Sequence, residues 1–179
     1  MRIISGKYKG RLIYPPKNFS ARPTTDKAKE SLFNIIQNNF DIEETRFLDL
    51  FAGTGSISYE MISRGCKQVE LIEDNPRHYR FIQKTIKELN LENIHPVKAD
   101  VFGFIRHCER KYDLIFADPP FDMSHAERIP EMIFEYRLLY PNGWFIMEHG
   151  PDKDFTGNPH LLEIKKYGKV HFTIFTEEK

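Results

Sequence analysis

The alternation of strand-like and helix-like segments between residues 46 and 149 most constrains what this chain can fold into. Short apolar runs predict strands at 46–52, 68–73, 97–99, 112–117 and 144–149. Segments with helical spacing lie between them, at 56–64, from Pro76 onward, at 101–108 and at 130–139. Such an alternation predicts an α/β fold in which a mostly parallel sheet carries helices on both faces.

Two further segments flank this alternation. Ahead of it, apolar spacing predicts a helix over 26–38 with Thr25 as its N-cap. Behind it, residues 161–167 and 170–176 predict a hairpin about Gly168. The predicted elements therefore cover the chain from residue 26 almost to its end.

Length and composition favour a single soluble domain. The chain has 179 residues and a mass of 21.2 kDa, which suits one domain, and no apolar run approaches the roughly 18 residues that span a bilayer. Two cysteines, Cys66 and Cys108, make neither a disulfide framework nor a zinc site. We expect a cytoplasmic monomer without membrane contact or metal, divided into an N-terminal arm of residues 1–24 and a core of residues 25–179.

The charge is unevenly distributed although the net charge is zero. Residues 1–30 carry a net charge of +6, which leaves −6 on the rest of the chain. A basic segment on an acidic body predicts a surface that faces a polyanion, and a solvated arm is the alternative interpretation. The basic side chains taken as candidate contacts are Arg2, Lys7, Lys9, Arg11 and Arg22.

Polar or glycine-rich groups follow each of the first four predicted strands. They are Asp49 with Gly53-Thr54-Gly55, Glu73, Asp100, and the quartet Asp118-Pro119-Pro120-Phe121. Ligands of open parallel sheets bind beyond the carboxyl ends of the strands. The sequence therefore predicts a ligand site at this edge of the sheet.

The first three of these groups suit an adenosine-containing cofactor. A glycine turn lets the backbone approach a ligand closely, and an ordinary strand-to-helix turn is the alternative. Glu73 can accept hydrogen bonds from ribose hydroxyls, or it can be a helix N-terminal carboxylate. Asp100 can accept an adenine amine, or it can be the N-cap of the helix that starts at Val101.

The quartet Asp118-Pro119-Pro120-Phe121 suits a planar base that bears an amino group. Asp118 and the carbonyl of Pro119 offer two acceptors on a stiff backbone, and Phe121 offers a stacking face. Hydrogen bonds from both N–H groups of an exocyclic amine would favour a pyramidal nitrogen whose lone pair can attack a methyl group. The quartet therefore predicts methyl transfer to a nucleobase amine, and a rigid strand-to-loop turn is the alternative.

Together these motifs resemble the class I S-adenosylmethionine-dependent methyltransferases, and most closely the RsmD-type 16S rRNA guanine-N2 methyltransferases. The resemblance rests on RIISGKYKGR at 2–11, RPTTD at 22–26 and LDLFAGTG at 48–55, together with DPPF at 118–121 and NGW at 142–144. It covers essentially the whole chain.

The resemblance implies a Rossmann-like, seven-stranded sheet with an antiparallel last strand. It implies that S-adenosylmethionine is the cofactor, and that a guanine of 16S rRNA, in the small ribosomal subunit or its assembly intermediate, is methylated at N2. The basic residues named above would touch RNA, or Arg22 and Thr25 would close over the cofactor. The implied catalytic residues are Asp118, Pro119, Pro120 and Phe121, and the implied cofactor contacts are Asp49, Phe51, Ala52, Gly53, Gly55, Glu73, Asp100 and Val101.

Other functions remain as alternatives. The same quartet serves methylation of DNA adenine, although no stretch is long enough for a DNA target-recognition domain, and methylation of another rRNA guanine is also open. A protein glutamine substrate fits the basic arm poorly. Ser58 in place of a third glycine disfavours a nicotinamide dehydrogenase. The non-enzymatic alternative is an RNA-binding module that keeps the fold.

Overall fold

The computed structural model describes residues 1–17, 19 and 25–177. The helices are α1 (Asp26–Asn39), α2 (Ser56–Ser63), α3 (Pro76–Glu88), α4 (Val101–His107) and α5 (Arg128–Glu135), with a 3-10 turn at Ile42–Glu44. The strands are β1 (Arg46–Asp49), β2 (Gln68–Ile72), β3 (Ile94–Val97), β4 (Tyr112–Ala117), β5 (Leu139–His149), β6 (Leu161–Tyr167) and β7 (Val170–Phe175). Arg22 and its neighbours at 20–24 lie outside the described residues.

The strands form one sheet in the order β3-β2-β1-β4-β5-β7-β6. The first five strands pair in parallel, whereas β7 runs antiparallel to both β5 and β6. This arrangement confirms the predicted Rossmann-like sheet with an antiparallel last strand. Local signals place the flanking elements too, since Thr25 caps α1 by accepting a hydrogen bond from the N–H of Ala28 at 3.2 Å.

Successive residues of the central strands enter two different apolar cores. Phe47 packs into the core beneath α1, α2 and α3, and its neighbour Leu48 into the core beneath α4 and α5. Phe116 and Ile115 of β4 divide in the same way. Because side chains alternate along a strand, both faces of the sheet are covered, and the predicted two-sided arrangement of helices is confirmed.

Two predicted boundaries near the end of the parallel region are wrong. The helix predicted over 130–139 spans Arg128–Glu135, with Pro130 inside its first turn. The first turn needs no intrahelical N–H donor, so proline can stand there without breaking the helix. The proline therefore does not mark the first residue of α5.

The strand predicted over 144–149 begins earlier, at Leu139. The expected stop, Pro141-Asn142-Gly143, lies inside β5 because the pairing with β4 shifts register there. Asn142 has a positive φ of 62°, which is the mark of the irregularity. The third strand is also displaced, from the predicted 97–99 to Ile94–Val97, and it pairs with β2 from Val69 onward.

Residues 1–13, here called the N-terminal segment, pack against α2. Ile3 and Ile13 are buried, and an isolated bridge joins Arg2 to Leu12. The segment turns back on itself, since the N–H of Ile3 donates to the carbonyl of Arg11 at 3.0 Å. The segment is therefore a docked structure rather than a solvated arm.

A buried ionic cluster holds the N-terminal segment in place. Glu60 of α2 is fully buried and accepts hydrogen bonds from the backbone N–H groups of Ile4 and Ser5, at 2.8 and 2.9 Å. Lys29 of α1, 1% exposed, donates to the carbonyl of Arg2 at 2.5 Å and lies 3.5 Å from Glu60. Burial lowers the pKa of Lys29. The cluster thus joins the segment, α1 and α2.

Among the described residues, no helix has the length and apolar character that crossing a membrane requires. In the same part of the chain, no three His, Cys, Asp or Glu side chains come close enough to hold a metal ion.

Candidate functional site

A cavity of about 1110 Å³ opens at the carboxyl ends of β1, β2 and β4. It lies where the strand order changes direction between β1 and β4, which is where open α/β sheets bind ligands. The structure brings eleven of the twelve predicted catalytic and cofactor-binding residues into its lining, namely Asp49, Phe51, Ala52, Gly53, Glu73, Asp100, Val101, Asp118, Pro119, Pro120 and Phe121.

The glycine turn after β1 forms one wall of the cavity. Gly53 lies in the lining with a φ of 54°. Gly55, which the sequence predicts to contact the cofactor, is not among the residues that line the cavity. It has a φ of 81°, and a Cβ added there would lie 2.5 Å from the ring of Tyr59. Gly55 is therefore required to shape the turn and to admit Tyr59.

Glu73 supports this turn from the end of β2. Its carboxylate accepts hydrogen bonds from the N–H of Gly53 and from the N–H of Asn75, both at 2.8 Å. His78 lies 3.5 Å from the same carboxylate. Burial raises the pKa of Glu73, while these contacts favour its ionised form. Its oxygens keep lone pairs for a ligand because each accepts one backbone bond.

Asp49 ends β1 at the floor of the cavity and is 1% exposed. The Ser58 hydroxyl donates to its Oδ2 at 2.7 Å, whereas Oδ1 accepts no hydrogen bond of regular geometry from a described residue, although the Phe51 N–H lies close enough to favour the ionised form. Burial, with repulsion from Asp118 and Glu73, raises the pKa of Asp49 to about 7. A buried carboxylate oxygen without a partner at the edge of a cavity is costly, and it favours a ligand that brings a donor or a positive charge.

Asp100 is placed both to cap the helix that follows it and to contact a ligand in the cavity. Its Oδ2 accepts from the N–H of Gly103 at 2.7 Å, so it is the N-cap of α4. It also lines the cavity beside Val101 and Lys98. One carboxylate oxygen is thus committed to the helix, and the other is available for a ligand.

The quartet after β4 forms the mouth of the cavity. Asp118 is half-buried, Pro119 is buried and Pro120 is exposed. Phe121 is 63% exposed although it lines the cavity. A Cβ added at Gly150 would lie 3.4 Å from the Phe121 ring, so the ring stands over the loop that follows β5. An exposed aromatic ring at a cavity mouth is free to stack on a planar ligand.

The lining is strongly acidic. Its described residues include one lysine, Lys98, against the carboxylates of Asp49, Glu73, Asp74, Asp100, Asp118 and Asp122. Such a site favours a cationic ligand and disfavours a pyrophosphate.

The basic candidates lie outside the cavity lining. Arg2 pairs with Asp26 at 3.0 Å, and the Lys7 ammonium lies 5.3 Å from the centre of the Tyr8 ring. Lys9 and Arg11 are exposed. Arg22 falls outside the described residues, so the choice between RNA contact and cofactor contact stays a prediction.

Known proteins resemble this chain over nearly its full length. The family described as "Conserved hypothetical protein 95" matches residues 1–176. A Buchnera aphidicola protein named "Ribosomal RNA small subunit methyltransferase D" is 30% identical, covering 98% of this chain and 91% of the relative. Its Escherichia coli namesake is 31% identical over 83% of this chain and 71% of its own length. The solved structure of a hypothetical protein from Thermus thermophilus superimposes with a TM-score of 0.86, at 25% identity and 98% coverage of both chains.

This chain belongs to the RsmD-type methyltransferase family. The resemblance drawn from the sequence motifs is therefore confirmed at the level of family and fold. The glycine turn and the DPPF quartet, two of the motifs on which that resemblance rests, both reach the cavity at the switch point of the sheet.

Sequence reasoning missed several residues of the RsmD-type cavity. Ser56 and His78 are lining residues on α2 and α3. The unpredicted lining residues outside these helices include Asp74, Lys98, Asp122 and Met123. Their place in the sequence could have indicated them, because each lies within five positions of a predicted site residue. Nearness to the strand ends therefore predicts membership of the site better than residue type does.

Proposed function

We propose that this RsmD-type chain transfers a methyl group from S-adenosylmethionine to the exocyclic N2 of a guanine in 16S rRNA. The observation that carries the proposal is the quartet Asp118–Phe121 at the mouth of an acidic cavity that the glycine turn also lines. The names of the relatives support the RNA substrate, since two of them are called small-subunit rRNA methyltransferases.

The cavity fits S-adenosylmethionine in size and charge. Its volume of about 1110 Å³ exceeds the range of about 300–1,000 Å³ that is usual for small-ligand sites, which leaves room for a base beside the cofactor. The cofactor carries ammonium and sulfonium charges, and Asp49 offers the buried, unpartnered oxygen that such a cation satisfies. Glu73 is the ribose acceptor, and Asp100 and Val101 form the adenine end.

The chain's own residues hold the base for reaction. The carboxylate of Asp118 and the carbonyl of Pro119 accept the two N–H groups of the guanine amine, and Phe121 stacks on the ring. The bound cofactor supplies an electrophilic methyl group on a sulfonium. Because that electrophile is strong already, alignment is the main task of the protein. Asp118 is also the carboxylate placed to take the proton that leaves N2.

The target guanine must leave its stack to reach the quartet. Enzymes that modify bases inside a helix extrude the target nucleotide into a pocket. A mouth rimmed by an exposed ring, Phe121, suits an extruded base. A nicotinamide dehydrogenase is disfavoured because its dinucleotide would bring a pyrophosphate to the carboxylates of the lining.

The decisive experiment replaces Asp118. Methyl transfer to small subunits, and separately to free 16S rRNA and to an assembly intermediate, is followed with labelled cofactor, and the modified nucleotide is mapped. We expect Asp118→Ala to lose about 10²-fold or more in kcat while cofactor affinity is kept. Asp118→Asn keeps an acceptor oxygen and retains part of the activity, and Asp154→Ala, on the exposed surface, is the control. Turnover of Asp118→Ala at the wild-type rate, or a labelled base other than guanine, would refute the proposal.

The basic N-terminal segment is proposed to contact RNA phosphates. Lys7, Lys9 and Arg11 are all exposed. Replacing the three with Gln should weaken RNA binding and lower the slope of log affinity against log salt by about 2, as three lost phosphate contacts require. A slope equal to that of the wild type would show that these side chains touch no phosphate.

A further inference from the structure

The exposed tyrosine of the N-terminal region has no role in the site described above. Tyr14 is 76% exposed, the largest value among the exposed large apolar side chains of the described residues. Leu12 beside it is 56% exposed. Isolated exposed apolar side chains are ordinary, so exposure alone assigns nothing to Tyr14. Its position and its neighbours carry the argument.

The first link between Tyr14 and the cavity runs through Lys29. Leu12 is bridged to Arg2, and the Lys29 ammonium donates both to the Arg2 carbonyl at 2.5 Å and to the Ser56 hydroxyl at 3.2 Å. Ser56 lines the cavity. The stretch that carries Tyr14 therefore leaves the N-terminal segment at the cavity end of α2.

The second link runs through Phe19. Its ring stacks on His78 with the ring centres 4.0 Å apart and an angle of 19° between the planes. His78 lines the cavity beside Glu73. Tyr14 is five residues away in sequence, so its Cα lies within about 18 Å of that of Phe19. Both sides of Tyr14 are thus tied to residues at the cavity.

The stretch of chain around Tyr14 is basic. Lys9, Arg11 and Lys17 are exposed on the same stretch of chain, and no acidic residue occurs between residues 1 and 17. An exposed aromatic ring among cations matches an unpaired nucleotide, whose base stacks while its phosphate is neutralised. The hydrophobic contact alone would also fit a protein, but the charge selects a polyanion.

We infer that Tyr14 stacks an unpaired base of the RNA substrate next to the guanine that enters the cavity. The inference rests on the proposed function, because it concerns the same RNA. Extruding the guanine costs stacking energy in the RNA. A ring on the chain just after the N-terminal segment, which Glu60 holds against α2, replaces part of that stacking.

The test compares Tyr14→Ala with Tyr14→Phe. Binding is measured with a fluorescent, unpaired oligoribonucleotide and with a duplex of the same length, over a series of salt concentrations. We expect Tyr14→Ala to weaken binding to the unpaired RNA by about tenfold, to reduce the preference over the duplex and to leave the salt slope unchanged. Tyr14→Phe keeps the ring and binds as the wild type does. Tyr136→Ala, a tyrosine 39% exposed at the end of α5, is the matched control.

Three outcomes would overturn the inference: wild-type affinity in Tyr14→Ala, an equal loss in Tyr14→Phe, or a loss that appears only as a lower salt slope. The binding assay needs no methyl transfer, so it is independent of the Asp118 experiment. If Asp118→Ala turns over normally while Tyr14→Ala loses affinity, the catalytic assignment fails and the stacking role stands. The reverse result removes the stacking role alone.

Discussion

Two buried carboxylates, Glu60 and Asp49, differ in how the protein treats them. Glu60 is fully buried and accepts hydrogen bonds from the backbone of residues 4–5 and from Arg64, with Lys29 nearby. Asp49 is 1% exposed but has one oxygen without a partner among the described residues. The protein neutralises the first charge itself and leaves the second unsatisfied.

This difference in hydrogen bonding assigns Glu60 to the stability of the fold and Asp49 to the binding of a ligand. A buried charge with complete hydrogen bonding fixes the elements that supply its partners, which here are the N-terminal segment, α1 and α2. A buried charge with an open lone pair at a cavity costs free energy until a ligand arrives. We therefore expect changes at Glu60 to act on folding and changes at Asp49 to act on cofactor affinity.

The largest expected effect is that of Glu60→Ala. It leaves Lys29 and Arg64 buried without their counter-ion, which should cost about 3–5 kcal/mol in the free energy of unfolding. The control is Glu44→Ala, which removes a carboxylate from an exposed pair with Lys67 and should change nothing measurable. Denaturant titrations compare the variants, and equal midpoints would contradict the role given to Glu60.

The next largest effect is expected at Gly6, and a comparison with Gly10 separates the cost of backbone strain from the cost of lost close packing. Gly6 and Gly10 both have positive φ, 81° and 84°, but a Cβ at Gly6 would lie 1.8 Å from the Ser63 carbonyl oxygen, whereas Gly10 faces open space. Gly10→Ala should cost about 1–2 kcal/mol from its φ alone. Gly6→Ala should cost about 1–3 kcal/mol more, because the segment must move off α2. Equal unfolding midpoints for the two variants would mean that the close approach at Ser63 is unimportant.

The binding side of the comparison is tested by Asp49→Asn. The amide can still accept from Ser58, but it no longer offers a negative charge to a cationic ligand. Cofactor affinity, measured by calorimetry, should fall about 10- to 100-fold, as expected for a lost charge-assisted bond of about 1.5–3 kcal/mol. Asp154→Asn, on the exposed surface, is the control and should bind normally. If Asp49→Asn instead lost stability while its folded fraction kept the wild-type cofactor affinity, Asp49 would belong with Glu60 as a residue that acts on folding.

Within about pH 6 to 8, the smallest effect is a pH dependence of stability. Burial raises the pKa of Asp49 from its usual 3.8 to about 7, so between these values the folded, ligand-free protein binds more protons than the unfolded chain. Its stability therefore falls as the pH rises from about 4 to about 7 and levels off above that, with about 1.4 kcal/mol lost between about pH 6 and about pH 8. Affinity for a cationic cofactor rises over the same interval. Thermal unfolding and titrations at several pH values check both trends, and Asp49→Asn should show neither.

Most of the fold could be predicted because its signals are local. The apolar run of β4 was predicted with the bounds that the structure has, Tyr112–Ala117, and the N-cap at Thr25 follows from its side chain. The errors lie where tertiary contacts override local signals. Pairing with β4 continues β5 on both sides of Pro141-Asn142-Gly143, although this tripeptide by itself resembles a turn that separates two elements.

The residues of the site also divide into those that local sequence predicts and those that only tertiary contacts reveal. Strand ends with acidic or glycine-rich residues are visible in the sequence, and parallel topology brings them to one edge, so Asp49 and Asp118 could be predicted to share a site. The attachment of the N-terminal segment to Glu60 could not be predicted, because the backbone N–H groups of Ile4 and Ser5 lie more than fifty positions away in the chain. The helical pattern of α2 shows only that Glu60 is a polar residue in an apolar helix. The role of Gly55 likewise depends on the ring of Tyr59, which only the folded turn brings near it.

The Glu60 carboxylate accepts hydrogen bonds from the backbone N–H groups of residues 4 and 5 and makes no hydrogen bond with the side chains of those residues. Most substitutions at positions 4 and 5 should therefore leave the segment attached to α2. Proline is the exception, because it has no N–H to give. The attachment thus requires the carboxylate at position 60 and the missing side chain at Gly6, whereas it depends little on which side chains occupy positions 4 and 5.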